Sequence, residues 1–206
     1  MVVSAKRILM AMTHFHQEDN KEYINMEILR KADISAKINF LFGTNYPSYL
    51  DFLVENARKE NPHNYKYSIF LSHSHHDAEL VKKIVLILKN IGVEVYVDWM
   101  DDSMPASTCG ITAAKIKQKI KQNHKFIFLA TNISIDSKWC NWEIGYGDAD
   151  KFQDDDIAVF PVKENYSEWK GNEYLQLYPS IKRSNDTLYI VYPNGKEKLL
   201  TEWMIK

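Results

Sequence analysis

The chain has 206 residues, of which 45% are hydrophobic and 26% are charged, a balance typical of a folded globular protein with one main domain rather than of a disordered chain. With 26 basic and 27 acidic residues the net charge is -1, so we expect no binding to a nucleic acid backbone or to an anionic membrane. No signal peptide and no apolar run of about 20 residues is present, and Cys109 and Cys140 stand in no metal or redox spacing, which indicates a cytoplasmic protein.

Residues 1–64 have a different sequence pattern from the rest of the chain and are predicted to form a helical N-terminal extension. Helix-like segments cover 21–40 and 48–59, and the breaker run 43–47 separates them. The polar stretch 59–64 is the linker candidate, and residues 7–12 are compatible with a short opening strand. The sequence therefore predicts an extension at 1–64 and a second domain at 65–206.

From residue 66 onward, strand-like and helix-like segments alternate. The predicted strands are 66–72, 93–98, 125–131, 157–162 and 187–192, all short, apolar and rich in β-branched or aromatic residues. The predicted helices are 78–91, 111–123, one that begins near 137–142 and one within 168–177. We expect Asp77 to cap the first helix and Gly92 to follow its end. This alternation predicts an α/β fold with a doubly wound, five-stranded parallel sheet, which binds ligands at the carboxyl ends of its strands.

The first candidate for chemistry is the polar segment that follows strand 66–72. Ser72, His73 and Ser74 would suit a ribose or a phosphate at the sheet edge. Alternatively, Ser74 and Asp77 only cap the next helix while the histidines of 73–76 lie in solvent. We expect no zinc site, because no second His/Cys cluster could complete a tetrahedral ligand set.

Two further segments follow the second and third strands. The acidic and aromatic loop 98–105 either shapes a pocket or forms a solvated turn in which Trp99 fills the core. Next, Ser137 can cap a helix that carries Trp139 and Glu143 at i and i+4, on one face. A carboxylate beside an aromatic ring suits a reaction that develops positive charge on a ribose. The alternative is that Glu143 favours the helix dipole and Trp139 belongs to the core.

These three segments, in this order, resemble the bacterial TIR (Toll/interleukin-1 receptor) domain family. YSIFLSHSHHD (67–77) is similar to its first-strand box, VYVDWMDDSMP (95–105) to its second strand and BB loop, and SKWCNWE (137–143) to its helix box. The resemblance covers about 66–206, implies a flavodoxin-like fold, and is closest to the NAD-cleaving branch and to the TIR proteins of Thoeris-type antiphage defence.

The resemblance also implies an activity and its residues. Glu143 matches the essential glutamate of the helix box, and the resemblance implies substrate contacts for Phe70, Ser72, His73, Asp98, Trp99 and Trp139. NAD⁺ would be the substrate, with no resident cofactor and no metal, and the products would be nicotinamide and ADP-ribose, a cyclic isomer or a conjugate. One departure is the acidic pair Asp101 and Asp102, where many relatives carry a glycine or a basic residue.

Partners and alternatives follow from the same resemblance. It implies homo-oligomers that form through TIR–TIR contacts and a separate effector protein that senses the nucleotide product. The main alternative is a non-catalytic adaptor that acts only by TIR–TIR assembly. A nucleoside-deoxyribosyltransferase-like enzyme, which also uses a glutamate on an α/β sheet, would differ by acting on deoxynucleosides.

Overall fold

A computed structural model describes residues 26–43, 50–59, 66–105, 109–164, 168–169 and 171–205 of the chain. The expected opening strand at 7–12, the breaker residues 44–47 and the linker residues 60–64 lie outside the described residues. Within the described ranges, no helix combines the length and the apolar composition needed to cross a lipid bilayer.

The N-terminal segment contributes one short strand and two helices. Strand β1 (Leu29–Arg30) runs parallel to a central strand of the sheet and is followed by α1 (Lys31–Phe42) and α2 (Leu50–Lys59). The helical prediction for 21–40 is therefore wrong at 29–30, because pairing with the sheet outweighs local helical spacing there. The buried side chains of α1 and α2 belong to the same hydrophobic cluster as the sheet: Ile34, Ile38, Leu50 and Val54. The domain boundary at 64/65 stays a prediction.

The centre of the sheet consists of parallel strands with helices on both faces. These strands are β2 (Ser68–Ser72), β3 (Glu94–Tyr96), β4 (Lys125–Ala130) and β5 (Ile157–Lys163), in the order β3-β2-β4-β5 and followed by β6 (Ser180–Ser184). Numbered from β2, this is the 2-1-3-4-5 order of flavodoxin-like folds. Every residue of β4 is buried, as expected for a strand covered on both faces. The predicted flavodoxin-like α/β fold is confirmed.

The number and direction of the last strands differ from the prediction of five parallel strands. The fifth parallel strand is β6, and β7 (Thr187–Val191), predicted as that strand, runs antiparallel to β6. Only two residues connect β6 and β7, which permits a hairpin but no crossover helix. Strand β8 (Glu197–Leu199) adds a further antiparallel edge, so the sheet contains eight strands among the described residues.

The remaining helices are α3 (Ala78–Asn90), α4 (Gly110–Gln122), α5 (Lys138–Lys151) and α6 (Leu200–Met204). In place of the predicted helix within 168–177, the described residues form only a 3₁₀ turn, Glu173–Leu177. Asp77 stands at the N-cap of α3 without capping it, because its carboxylate instead accepts a 2.6 Å hydrogen bond from Thr131 Oγ1. Gly92 follows the end of α3 with a φ of 88°, as predicted.

Candidate active site

The candidate site lies where β2 and β3 end and α5 begins. Ser72 is the last residue of β2, and a 3₁₀ turn, Asp98–Met100, follows β3. Ser137 caps α5, as predicted, by accepting a hydrogen bond from the Cys140 amide at 3.3 Å. This cap sets the start of the helix and thereby places Glu143 beside the end of β2.

Glu143 is a buried carboxyl group that, among the described residues, has one neutral hydrogen-bond donor. Its side chain is 4% exposed, and Ser72 Oγ donates a 2.6 Å hydrogen bond to Oε2. Burial raises the pKa of Glu143 to about 8, the Ser72 hydrogen bond opposes this rise, and the negative charge of Asp98 adds to it. At pH 7 the free protein therefore holds most of this carboxyl group in its neutral form.

His73 is held as one neutral tautomer by its two hydrogen bonds. Its Nδ1 lies 2.9 Å from the Leu71 carbonyl oxygen, and its Nε2 lies 2.8 Å from Nε1 of Trp99. Because an indole N–H can only donate, Nε2 must accept and the proton must sit on Nδ1. Burial lowers the pKa of His73, although the charge of Asp98 works in the opposite direction. The imidazole therefore orients the Trp99 ring.

Asp98 connects the loop after β3 to the two histidines. Its Oδ1 accepts a 2.8 Å hydrogen bond from the Trp99 amide and lies 3.5 Å from Nε2 of His73. Its Oδ2 lies 3.4 Å from Nε2 of His75, whose side chain is largely exposed. Trp99 is 36% exposed, so this indole does not fill the core. A partly exposed aromatic ring and a carboxylate thus lie beside His73, the residue that follows Ser72.

The acidic loop after β3 is fastened to helix α4. Asp101 accepts hydrogen bonds from Tyr96 Oη at 3.0 Å and from the Ser103 amide, and it forms a 3.0 Å ion pair with Lys119. Lys115 binds the Ser103 carbonyl oxygen. Burial disfavours ionisation, but the hydrogen bonds from Ser103 and Lys119 outweigh it and hold the pKa of Asp101 well below its usual range. The partners in α4 carry no sequence signal, because they lie 12 and 18 residues further along the chain.

Trp139 begins a row of aromatic rings along α5. Its ring centroid lies 5.1 Å from that of Trp142, and the Trp142 ring stacks on Tyr146 at 6.2 Å. The ammonium group of Lys117, from α4, lies 5.8 Å and 5.0 Å from the centroids of Trp142 and Tyr146. The sequence prediction named Trp139 but not Trp142, Tyr146 or Lys117, although the i, i+3, i+7 spacing of the three aromatic residues was a readable signal.

Phe70 lies in the core beneath the candidate site. Its side chain is buried, and its ring stacks between Tyr96 and Phe126 at 5.5 Å and 5.6 Å. Cys140 is also buried, and its thiol donates a hydrogen bond to the His73 carbonyl oxygen at 3.2 Å. Burial raises the pKa of this thiol to about 12, which leaves it a poor nucleophile. The substrate contacts that the resemblance implies for all six residues stay predictions.

Among the described residues, no cluster of His, Cys, Asp and Glu side chains is arranged to hold a metal ion. The local chemistry is that of the buried Glu143 carboxyl group, the Asp98 carboxylate, a neutral imidazole and a set of aromatic rings. Such a site can stabilise a cation if Glu143 becomes ionised.

Comparisons with known proteins agree with this arrangement. The model of the TIR domain family matches residues 69–200. A protein named "Probable 3' cyclic ADP-D-ribose synthase ThsB'", from Bacillus cereus (strain MSX-D12), is 36% identical over 153 residues, which are 71% of this chain and 78% of the relative.

Two further relatives match shorter parts. A provisionally named cyclic ADP-D-ribose synthase, TIR2, of Cytobacillus dafuensis is 30% identical over 98 residues, 46% of this chain and 26% of the relative. "Probable 2' cyclic ADP-D-ribose synthase TcpO", of Methanobrevibacter olleyae, is 30% identical over 119 residues, 55% of this chain and 32% of the relative. The family match spans more than half of the sequence and includes the second and third boxes and residues 69–77 of the first, so the chain belongs to the TIR domain family.

Proposed function

We propose that this protein cleaves the bond between nicotinamide and ribose in NAD⁺. NAD⁺ is the substrate and no other cofactor is needed. The proposal rests on one observation: the Glu143 carboxyl group is buried at the carboxyl edge of the sheet and accepts a hydrogen bond from Ser72. The names of the three relatives, all cyclic ADP-D-ribose synthases, support the same reaction class.

The electrostatics of the site suit a dissociative reaction. The pyridinium ring of NAD⁺ is positively charged, and its entry beside Glu143 favours the ionised carboxylate. As the bond breaks, the electron pair leaves with nicotinamide and the positive charge passes to the ribose, where the Glu143 carboxylate stabilises it. The half-exposed rings of Trp99 and Trp139 would cover the reacting end of the substrate.

The products depend on which nucleophile captures the ribose cation. Water gives ADP-ribose and releases one proton, whereas a nucleophile within the same nucleotide gives a cyclic isomer and also releases one proton. Another acceptor gives a conjugate. One relative is named for a 3′ cyclic product and another for a 2′ cyclic product, so relatives of this chain are named for different isomers.

For the biological role we propose a nucleotide signal in bacterial antiphage defence, sensed by a separate effector protein. The support is the similarity to ThsB′ over 71% of this chain. The competing function, a non-catalytic adaptor, would not require the buried Glu143 carboxyl group.

The test is Glu143→Gln, which keeps the size of the side chain and a hydrogen-bonding partner for Ser72 but removes the charge. We expect NAD⁺ consumption to fall by about 100-fold to 1,000-fold, because a preorganised stabiliser of the developing cation is lost. Chromatography with mass detection would measure nicotinamide release and identify the second product.

Glu202→Gln, an exposed position on α6, is the matched control and should keep wild-type activity. Undiminished NAD⁺ cleavage by Glu143→Gln would contradict the proposal. A wild-type protein that consumes deoxynucleosides instead of NAD⁺ would point to the deoxyribosyltransferase-like alternative.

A further inference from the structure

The hydroxyl group of Ser72 forms a hydrogen bond with the Glu143 carboxyl group. Its Oγ lies 2.6 Å from Oε2 of Glu143, and within the described residues this is the hydrogen bond that both side chains make. The contact joins the last residue of β2 to the second turn of α5, across 71 positions of sequence.

Ser72 is also almost completely buried and held by the sheet. Its residue is 1% exposed, and its backbone pairs with Phe128 of β4, so the surrounding strands fix its position. The hydroxyl has one proton, which it donates to Glu143, so it could donate a hydrogen bond to a nucleotide only by giving up this contact.

A hydroxyl group suits a carboxyl group that changes its protonation state. It donates to a carboxylate and accepts from a neutral carboxylic acid, so one contact serves both forms. A backbone amide or a lysine can only donate, so it could not accept the proton of the neutral acid. A buried carboxyl group without any partner would bear the full cost of desolvation.

We infer that Ser72 is a positioning residue that holds the Glu143 carboxyl group in place through both protonation states and does not bind the substrate. This inference rests on the proposed function, because Glu143 is the group that meets the ribose cation. It departs from the substrate contact that the sequence resemblance implies for Ser72.

The test compares two replacements at this position with a matched control. Ser72→Ala removes the hydroxyl, and Ser72→Cys fills a similar volume with a weaker donor. Ser68→Ala is the control, because Ser68 lies on the same strand and its hydroxyl contacts His124 instead. Melting temperatures of all three variants establish that each protein is folded.

We expect Ser72→Ala to lower kcat by about 10-fold to 100-fold, the range for losing one hydrogen bond to a charged group, with KM for NAD⁺ changed less than about twofold. Ser72→Cys should lie between alanine and the wild type, and Ser68→Ala should match the wild type. The proposed reaction needs the ionised form of Glu143, so kcat should rise with pH as this group loses its proton. Because the hydrogen bond from Ser72 favours the carboxylate, its loss should shift this rise in kcat to higher pH.

A second readout does not depend on turnover. The ¹³C signal of the Glu143 carboxyl carbon, assigned by its absence in Glu143→Gln, should titrate at higher pH in Ser72→Ala than in the wild type. If the wild type fails to cleave NAD⁺, the proposed function falls, and this titration still decides whether Ser72 controls the carboxyl group. A several-fold rise in KM with an unmoved pH profile and titration would overturn the inference and make Ser72 a substrate contact.

Discussion

At the scale of single residues, folding and the proposed reaction place opposite demands on Glu143. A carboxyl group that is 4% exposed folds more easily when it is neutral, whereas stabilising a cation requires its charge. Its pKa, raised by burial to about 8, reflects the first demand. In the proposed reaction, the positive charge of NAD⁺ would meet the second demand by favouring the ionised carboxylate.

This raised pKa predicts how stability changes with pH. Between the unfolded value of 4.5 and about 8, the folded protein keeps a proton on Glu143 that the unfolded chain has lost, so the free energy of unfolding falls as the pH rises. Glu143→Gln removes this dependence. We expect the variant to gain stability relative to the wild type from pH 5 to pH 8, by a few kcal/mol at most.

Urea denaturation of both proteins at several pH values would measure this gain. Glu202→Gln, which removes an exposed carboxylate, serves as the control. A difference between Glu143→Gln and wild type that stays constant from pH 5 to pH 8 would show that Glu143 is ionised in the folded protein throughout this range.

At the scale of elements, the N-terminal helices are attached to the sheet through buried side chains. Ile38 of α1 is fully buried, whereas Phe40, two residues later, is 82% exposed. We expect Ile38→Ala to lower the free energy of unfolding by about 2 to 5 kcal/mol, because it leaves a cavity in the shared core.

Phe40→Ala, on the same helix, should change stability by about 0.5 kcal/mol or less. Urea denaturation followed by circular dichroism would compare the two variants. Equal and small effects would mean that α1 contributes little to the stability of the sheet, which would favour an extension that folds separately.

A second element, the loop after β3, is attached to helix α4 through one of its acidic residues. Asp101 contacts Lys119 and Tyr96, whereas Asp102 is exposed. A substitution at Asp102 changes the charge of the loop at an exposed position and keeps Asp101, whose carboxylate forms the ion pair with α4.

At the scale of the whole molecule, we expect one chain by itself to leave much of a bound dinucleotide in water. We expect activity per subunit to rise steeply with protein concentration, because a second subunit that contacts loop 98–110 could cover the adenosine half and exclude solvent from the ribose cation. Specific activity should be measured over a wide concentration range, with light scattering on the same samples.

Asp102→Lys should abolish the rise in activity with concentration while leaving the melting temperature near that of the wild type, because Asp102 is exposed. A protein that stays monomeric and keeps constant activity per subunit would show that one chain is sufficient.

The sequence by itself determined the flavodoxin-like class and the segments that form the candidate site. Near-continuous apolar runs such as 125–131 mark strands buried on both faces, and the order of the three boxes identifies the family. The cap at Ser137 and the turn at Gly92 were also readable, because capping and positive φ depend on residues that are close in the chain.

Only the tertiary structure decided the direction of 187–191, the strand at Leu29–Arg30 and the partners of the site residues. The hairpin depends on β6, which has few apolar residues and gave no strand signal, and β1 exists only because β5 offers it an edge. Ser72, the partner of Glu143, lies 71 positions away in sequence, and Lys119, the ion-pair partner of Asp101, lies 18 positions away. The pKa of Glu143 likewise depends on burial by distant segments, because desolvation is a property of the packed fold and leaves no local pattern in the sequence.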